Sequence, residues 1–238
     1  MARNFRELIM KIGVIFADTQ EYLPFINNFK NDDSTERIVS GMKTYEYTAE
    51  NGNKIIAVNS GIGKVNAAIA ASALIYVFGA SVILNAGLSG AVSGLRREDI
   101  VLGTDYVECD FDLTAIGYDL GVKPDEENIH KADQKLLELA KEMEGFSFKE
   151  GRLGTGDLFL TDKDKKNLYK KLFEISAFDM ESAAIAAVCS KNEVPFLSIR
   201  KISDDADDAS AETYTEMNNR QEVVLSQIVV EIAKKLNV

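Results

Sequence analysis

The sequence is poor in histidine: His130 is the only one in 238 residues. A zinc site built on two or three histidines is therefore excluded, and a Ser-His-Asp hydrolase would have to be assembled on that one side chain. Cysteine is nearly as scarce. Cys109 and Cys189 are too few to staple a chain of this length, which points to a reducing cytoplasm. Cations are outnumbered, with 27 Lys and Arg against 38 Asp and Glu and a net charge of −11. That balance disfavours nucleic acid and anionic membrane as partners, since both call for clustered Lys and Arg. No run of about 18 apolar residues stands out, and residues 1–9 lack the apolar stretch of a signal peptide. Any acid–base chemistry must fall mainly to carboxylates.

What is present is a good core-former. Hydrophobic residues make up 46% of the chain, arranged as short apolar runs alternating with helical spacing. Strands are expected at 11–17, 53–61, 81–87, 99–108, 148–160, 177–180 and 194–203. Helices are expected at 64–79, 131–144, 162–173, 181–192 and from about 211 to 236. His130, in ENIHKADQKLLELA, reads as a solvated residue at the start of the second of these helices. The alternation predicts one α/β domain with a largely parallel or mixed central sheet. Residues 1–9 read as an N-terminal extension, because the first strand begins directly after Met10, and residues 10–238 as a single domain.

Ligands of such folds sit at the carboxyl ends of strands, and five notable stretches occupy those positions. SGIGKVN (60–66) fails as a Walker A loop, with Val58 at the first glycine position and Val65 at the Ser/Thr position. It also fails as a dinucleotide fingerprint, with Asn66 at the third glycine. A tight strand-to-helix turn is the plainer reading. NAGLSGAVSG (85–94) has three glycines that would let backbone N–H groups face an anion. TGDLFL (155–160), FDMES (178–182) and SDDADD (203–208) complete the set.

The last stretch allows three readings. Asp204, Asp205 and Asp208 have the DDxxD spacing of magnesium-binding helices, but here they follow a strand. An EF-hand fails, because Ala209 and Ser210 stand where an oxygen ligand and a glycine are needed. A solvated loop leading into a helix is the commonest use of such a run. The sharpest reading has Asp204 alone turned into a pocket as a proton donor. Glu181 and Glu21 pose the same choice, since each also suits the positive end of a helix dipole.

In order and spacing, KIGVIFADTQE, NSGIGKVNAA, LNAGLSGAV, DLTAIGYDLG with Pro124, TGDLFL, DMESAAIAAVC and VPFLSIRKISDDAD resemble the nucleoside phosphorylase/hydrolase superfamily. Within it they are most similar to bacterial 5′-methylthioadenosine/S-adenosylhomocysteine nucleosidases. The resemblance spans nearly the whole chain. It implies a three-layer α/β fold with a twisted mixed central β-sheet flanked by helices, no cofactor or metal, a small nucleoside as substrate, and a homodimer. It also implies cleavage of the N-glycosidic bond by water, through an oxocarbenium-like transition state. Asp204 matches the family's general acid at purine N7, and Glu21 the group that activates water. Met180 and Glu181 match ribose contacts; Phe159 packs on the base and Leu160 reads its edge. Arg200 and Ser203 match supporting polar groups. Ser89 and Gly90 fall in the glycine stretch beside the substrate. Tyr214 covers the 5′ pocket, which Ile116 and Pro124 complete from the partner subunit.

Three positions depart from the pattern. Leu88 replaces a serine whose hydroxyl helps hold the water. Asp179 replaces a glutamate before the Met-Glu pair, and YVECDF lacks a histidine often found nearby. Three alternatives therefore stand beside the leading function. They are hydrolysis of another purine nucleoside such as 6-amino-6-deoxyfutalosine, phosphorolysis, and nucleoside binding without catalysis. Against phosphorolysis, the loop after the first strand, ADTQEYLPF, supplies Glu21 and no arginine.

Overall fold

The computed structural model describes residues 9–29, 34–207 and 210–236. The remaining positions, among them residues 1–8 of the expected extension and Asp208 of the acidic run, lie outside the described residues. Strand β1 (Lys11–Phe16) leads into helix α1 (Thr19–Phe29). The hairpin β2 (Thr35–Val39) and β3 (Met42–Thr48) follows, then β4 (Lys54–Asn59) and α2 (Lys64–Tyr76). Next come β5 (Val82–Ala91), β6 (Ile100–Glu108), a 3₁₀ turn at Thr114–Ile116, β7 (Ile129–Lys131) and α3 (Gln134–Lys141). The chain ends with β8 (Phe148–Thr155), α4 (Lys163–Phe173), β9 (Ala177–Asp179), α5 (Ser182–Lys191), β10 (Phe196–Asp204), α6 (Ser210–Asn219) and α7 (Val224–Lys235).

The sheet runs β10-β6-β8-β9-β5-β1-β4-β3-β2, with β7 added to β6. Its pairings are mixed: β1 lies parallel to β4 and β5, while β10 lies antiparallel to β6. Strand β5 also pairs along β10 and, at its tip, with β9. Strands β5, β10, β6, β8 and β9 therefore close on themselves, and the last residues of β9 and β10 meet the outer half of β5. The central strands are apolar on both faces, as expected of strands covered by helices on each side. Alanine-rich α2 and α5 pack on each other, while α7 packs against α3, α1 and the other side of the sheet. A satellite core of Val107, Cys109, Leu160, Tyr169, Phe173, Ile175 and Phe178 seats α4 beside the converging strand ends. No helix among the described residues is long and apolar enough to cross a membrane.

The expected mixed α/β architecture is found, with several local differences. Helix α1 puts Glu21 in a first helical turn, one of the two readings open to it, and continues through Pro24, past which no helix was expected. Pro24 has no N–H to give the Gln20 carbonyl, so the helix is held by packing of Tyr22 and Phe25 instead. The β2–β3 hairpin turns on Ser40 and Gly41, both at positive φ (51° and 78°), as a two-residue hairpin loop requires. His130 is not at a helix start. It lies in β7 opposite Tyr106, and α3 begins later, capped by the Asp133 carboxylate on the Leu136 N–H (3.0 Å). The expected last helix is two helices, broken near Gln221 at φ 48°. The NAGLSGA stretch is strand to Ala91 rather than a loop.

Candidate active site

A cavity of about 310 Å³ opens where the strands converge. Residues following β1, the tail of β5, the β9–α5 junction and the end of β10 form its floor; Ile62, Phe159 and Tyr214 stand at its mouth. Ligand sites in open α/β sheets occupy this position for a topological reason, since loops diverge there.

Glu21 sits in the first turn of α1. Its Oε2 accepts the Ala17 and Asp18 N–H groups (both 3.2 Å), and its Oε1 accepts the Leu88 N–H (2.8 Å). The β5 backbone can approach so closely because residue 87 is glycine. A Cβ there would lie 2.6 Å from Arg200 Nη1 and 2.8 Å from Glu21 Oε1. The anion that the glycine stretch faces is thus the protein's own carboxylate. Burial pushes the Glu21 carboxyl up to about 7; Arg200 opposes that rise and Glu181 adds to it.

Arg200 lies under this floor, 1% exposed. Its Nη2 donates to Asn85 Oδ1 (2.5 Å), Ser182 Oγ (3.0 Å) and Glu181 Oε2 (3.3 Å), and its Nε to Ser198 Oγ (3.1 Å). Nη1 donates to the Leu88 carbonyl (3.3 Å), and Nε lies 3.3 Å from Asp179 Oδ2. Burial alone would lower its pKa; Asp179, Glu181 and Glu21 together outweigh burial and keep it charged. Asp179 is committed to the protein itself. It accepts from Thr155 Oγ1 (2.8 Å), Ser182 Oγ (2.6 Å) and the Glu181 and Ser182 N–H groups (both 2.9 Å). It thereby closes the amino end of α5 and fixes Arg200. Glu181 accepts the Gly63 N–H (3.1 Å) through Oε1, and burial raises its carboxyl pKa against the pull of Arg200. The SGIGK segment is thus the turn into α2, with Gly61 and Gly63 at positive φ.

Asp204 ends β10 at an irregularity in its register with β5, 4% exposed. Ser203 Oγ donates to its Oδ2 (2.6 Å) and the Ala206 N–H to its Oδ1 (2.8 Å). Gly90 makes room for it: a Cβ at 90 would lie 2.8 Å from Asp204 Oδ1. Asp205 and Asp207 are exposed, so one aspartate of the described run faces the cavity. Among the described residues no group of three or more His, Cys, Asp or Glu converges where a metal ion could sit.

The remaining expected residues fall into two groups. Leu88, Ser89, Leu160 and Met180 line the cavity, and Phe159 meets Tyr214 edge-on across the mouth (5.4 Å, 70°). The Ser89 hydroxyl is buried without a partner within the chain. Ile116 and Pro124 do not line it, and Ile116 is 70% exposed on the 3₁₀ turn. Reading the sequence missed Asn85, Ser182 and Ser198, which hold Arg200, and Asp18 and Ile62 at the rim. Asn85 and Ser198 carried one signal, polarity inside the otherwise apolar runs VILNAG and FLSIR; Ser182, Asp18 and Ile62 carried none. Among the described residues, five acids (Asp18, Glu21, Asp179, Glu181 and Asp204) and no Lys or Arg line the cavity.

Comparison with known proteins agrees with this geometry. The profile of the phosphorylase superfamily matches residues 11–234. The aminodeoxyfutalosine nucleosidase of Campylobacter jejuni is 31% identical over 96% of this chain and 100% of its own. A 5′-methylthioadenosine/S-adenosylhomocysteine nucleosidase of Haemophilus influenzae is 34% identical over 95% of this chain and 100% of its own. Among solved structures, that of the Helicobacter pylori 5′-methylthioadenosine/S-adenosylhomocysteine nucleosidase with butyl-thio-DADMe-Immucillin-A superposes with a TM-score of 0.91. It is 29% identical and covers 97% of this chain and all of that one.

Proposed function

Because this chain belongs to the phosphorylase superfamily, we propose that it hydrolyses the N-glycosidic bond of an adenine nucleoside, with 5′-methylthioadenosine and S-adenosylhomocysteine as substrates. The observation that carries hydrolysis over phosphorolysis is the charge of the cavity. Among the described residues five acidic side chains and no Lys or Arg line it, and the guanidinium beneath is already paired with Asp179 and Glu181. Phosphate would meet an acidic wall with no free cation, whereas water would meet a base.

In this reading Asp204 protonates the purine at N7, so the base leaves as a neutral group. Glu21 orients water and takes its proton; its raised pKa places the carboxyl near the working pH of a general base. Glu181 and Met180 hold the ribose, Phe159 packs on the base and the Leu160 backbone reads its edge. Arg200 acts as a positioning residue behind Glu21 and Glu181, and Asp179 as one behind Arg200. The apolar mouth of Ile62, Phe159 and Tyr214 suits the thioether shared by both 5′ substituents, and its partial opening leaves room for the charged end of the homocysteine group in solvent. The acting unit is residues 10–238, in a reducing cytoplasm that suits the free Cys109 and Cys189.

The same reading includes a homodimer. Helix α2 carries no charge after Lys64, and its outer face exposes Val65 (70%) and Tyr76 (73%) together with Ile69. Ile62 and the exposed Ile116 and Tyr118 extend the same kind of surface. An apolar helix face of this kind is covered in most stable proteins. A second copy seated there would bring Ile116 and Pro124 to the neighbouring 5′ pocket. The test of substrate is a panel of purine nucleosides differing only at the 5′ position, assayed for base release. Fastest turnover of 5′-methylthioadenosine supports the proposal; preference for 6-amino-6-deoxyfutalosine would move the assignment to the other named relative.

A further inference from the structure

A second, smaller cavity lies behind the floor of the first. It holds about 30 Å³ and shares Glu21 and Leu88 with the main cavity. Its other walls include Gln20 of α1, Lys201 of β10, Gln221 and Glu222 of the α6–α7 link, and Val224 at the start of α7. Lys201 stands opposite Leu88 in the β5–β10 register and is nearly buried, paired with Glu222 and with Glu98 (2.7 Å). Gln221 donates to the Gln20 side chain across the outer side. Gln221 and Glu222 are exposed, so this wall meets bulk solvent.

A buried water needs about 10–15 Å³ and two to four polar partners. The small cavity meets both conditions, since Glu21, Glu222, Lys201 and the three amide residues Gln20, Asn218 and Gln221 line it. An apolar side chain, Leu88, divides it from the main cavity, so Glu21 is the polar group common to both compartments.

Hydrolysis makes a demand that this arrangement answers. Each turnover consumes one water. Its oxygen bonds to the anomeric carbon, and one of its protons passes to Glu21. The electron pair of the glycosidic bond leaves on the base, which takes a proton from Asp204. Glu21 must then release its proton to solvent, and Asp204 must regain one. While a nucleoside or its products fill the main cavity, the front of Glu21 is covered and the Phe159–Tyr214 pair stands over the mouth.

We propose that the small cavity is a rear port, through which Glu21 returns its proton to solvent and the next water is delivered. Leu88 is its partition and the Gln20–Gln221 pair its outer gate. The port rests on the hydrolytic reading above, but it concerns how the base is reset rather than which bond is cleaved.

Val224→Phe tests it, because Val224 lines the rear cavity and not the main one. Filling the port should lower kcat about tenfold, leave KM unchanged and raise the solvent deuterium isotope effect on kcat. Added imidazole, a small proton carrier that enters by the open front between turnovers, should restore most of the rate. A folded Val224→Phe protein with unaltered kcat and isotope effect would overturn the port, and so would a loss of rate that imidazole does not relieve. Should that variant fail to fold, Gln221→Phe blocks the outer gate from the surface and is judged by the same readings. A wild-type protein that releases no base from any purine nucleoside would overturn the hydrolytic reading itself, a different result from a port that fails alone.

Discussion

The floor and the mouth of the cavity are built in opposite ways. The floor is made by strand ends and is polar, closed and over-determined: Glu21 accepts three backbone N–H groups, and Arg200 bonds to four side chains and a carbonyl. The mouth is made by loop and helix side chains, is apolar and is partly open, with Phe159 44% exposed. Chemistry needs groups held to a fraction of an ångström, which a sheet provides. Choice among 5′ substituents needs only a shaped apolar wall, which single side chains and a second subunit can supply. Damage to the floor should therefore act on kcat, and damage to the mouth on KM.

The largest effect is expected at Asp204. Asp204→Asn keeps the shape but removes the proton, and should lower kcat by about 10²–10⁴-fold with the fold intact by circular dichroism. Near-normal turnover would remove Asp204 from the mechanism. Glu21→Gln should cost a comparable factor, and the wild-type pH profile identifies why. A carboxyl with a pKa of about 7 becomes a base only as pH passes that value. So kcat/KM should rise with pH through about 7; a rising limb centred near the ordinary glutamate value of 4.5 would contradict the burial argument. Stability should move the other way. Between pH 4.5 and about 7 the folded state keeps a proton on Glu21 that the unfolded chain has lost, so unfolding becomes easier as pH rises. Urea titrations of the Gln variant should show a flatter dependence over that window.

A smaller, differently shaped effect is expected at the mouth. Ile116→Asp places a charge on the surface assigned to the neighbouring 5′ pocket. It should weaken the dimer by light scattering and raise KM for 5′-methylthioadenosine about tenfold, the equivalent of about 1.4 kcal/mol, with kcat nearly kept. An unchanged KM in a protein that remains dimeric would detach Ile116 from the pocket. The smallest effect concerns Leu88. Its backbone already serves Glu21 and Arg200 and is kept in the variant, so the family's serine adds a hydroxyl worth about 0.5–1.5 kcal/mol while removing the side chain between the two cavities. Leu88→Ser should raise hydrolysis roughly threefold to tenfold; a fall in rate on the best substrate would mean that Leu88 shapes the pocket instead.

The same contrast governs what the sequence disclosed. Strand ends followed by glycines and acids are local patterns; they marked Glu21, the glycine stretch of β5, Glu181 and Asp204 as candidates, and the family resemblance, not the local pattern, implied that they share one site. The support beneath them is non-local. Asn85 and Ser198 are single polar residues within apolar runs and Ser182 opens α5, and only the pairing of β5 with β10 and the packing of α5 bring them to Arg200. His130 was misplaced for a related reason, since a three-residue strand exists only because β6 offers it an edge. In α1, Pro24 hid how far the helix begun at Glu21 would run, because tertiary packing carries it to Phe29. The expected last helix lost its continuity at NNRQ, where polar residues permit the turn that sets Gln221 beside Gln20.

The central claim is that an acidic floor with Glu21 as base makes water, and not phosphate, the nucleophile. Incubation with 5′-methylthioadenosine in phosphate buffer and in a phosphate-free buffer, followed by identification of the sugar, tests it most directly. The account predicts free methylthioribose at the same rate in both; methylthioribose 1-phosphate, formed only when phosphate is present, would contradict it.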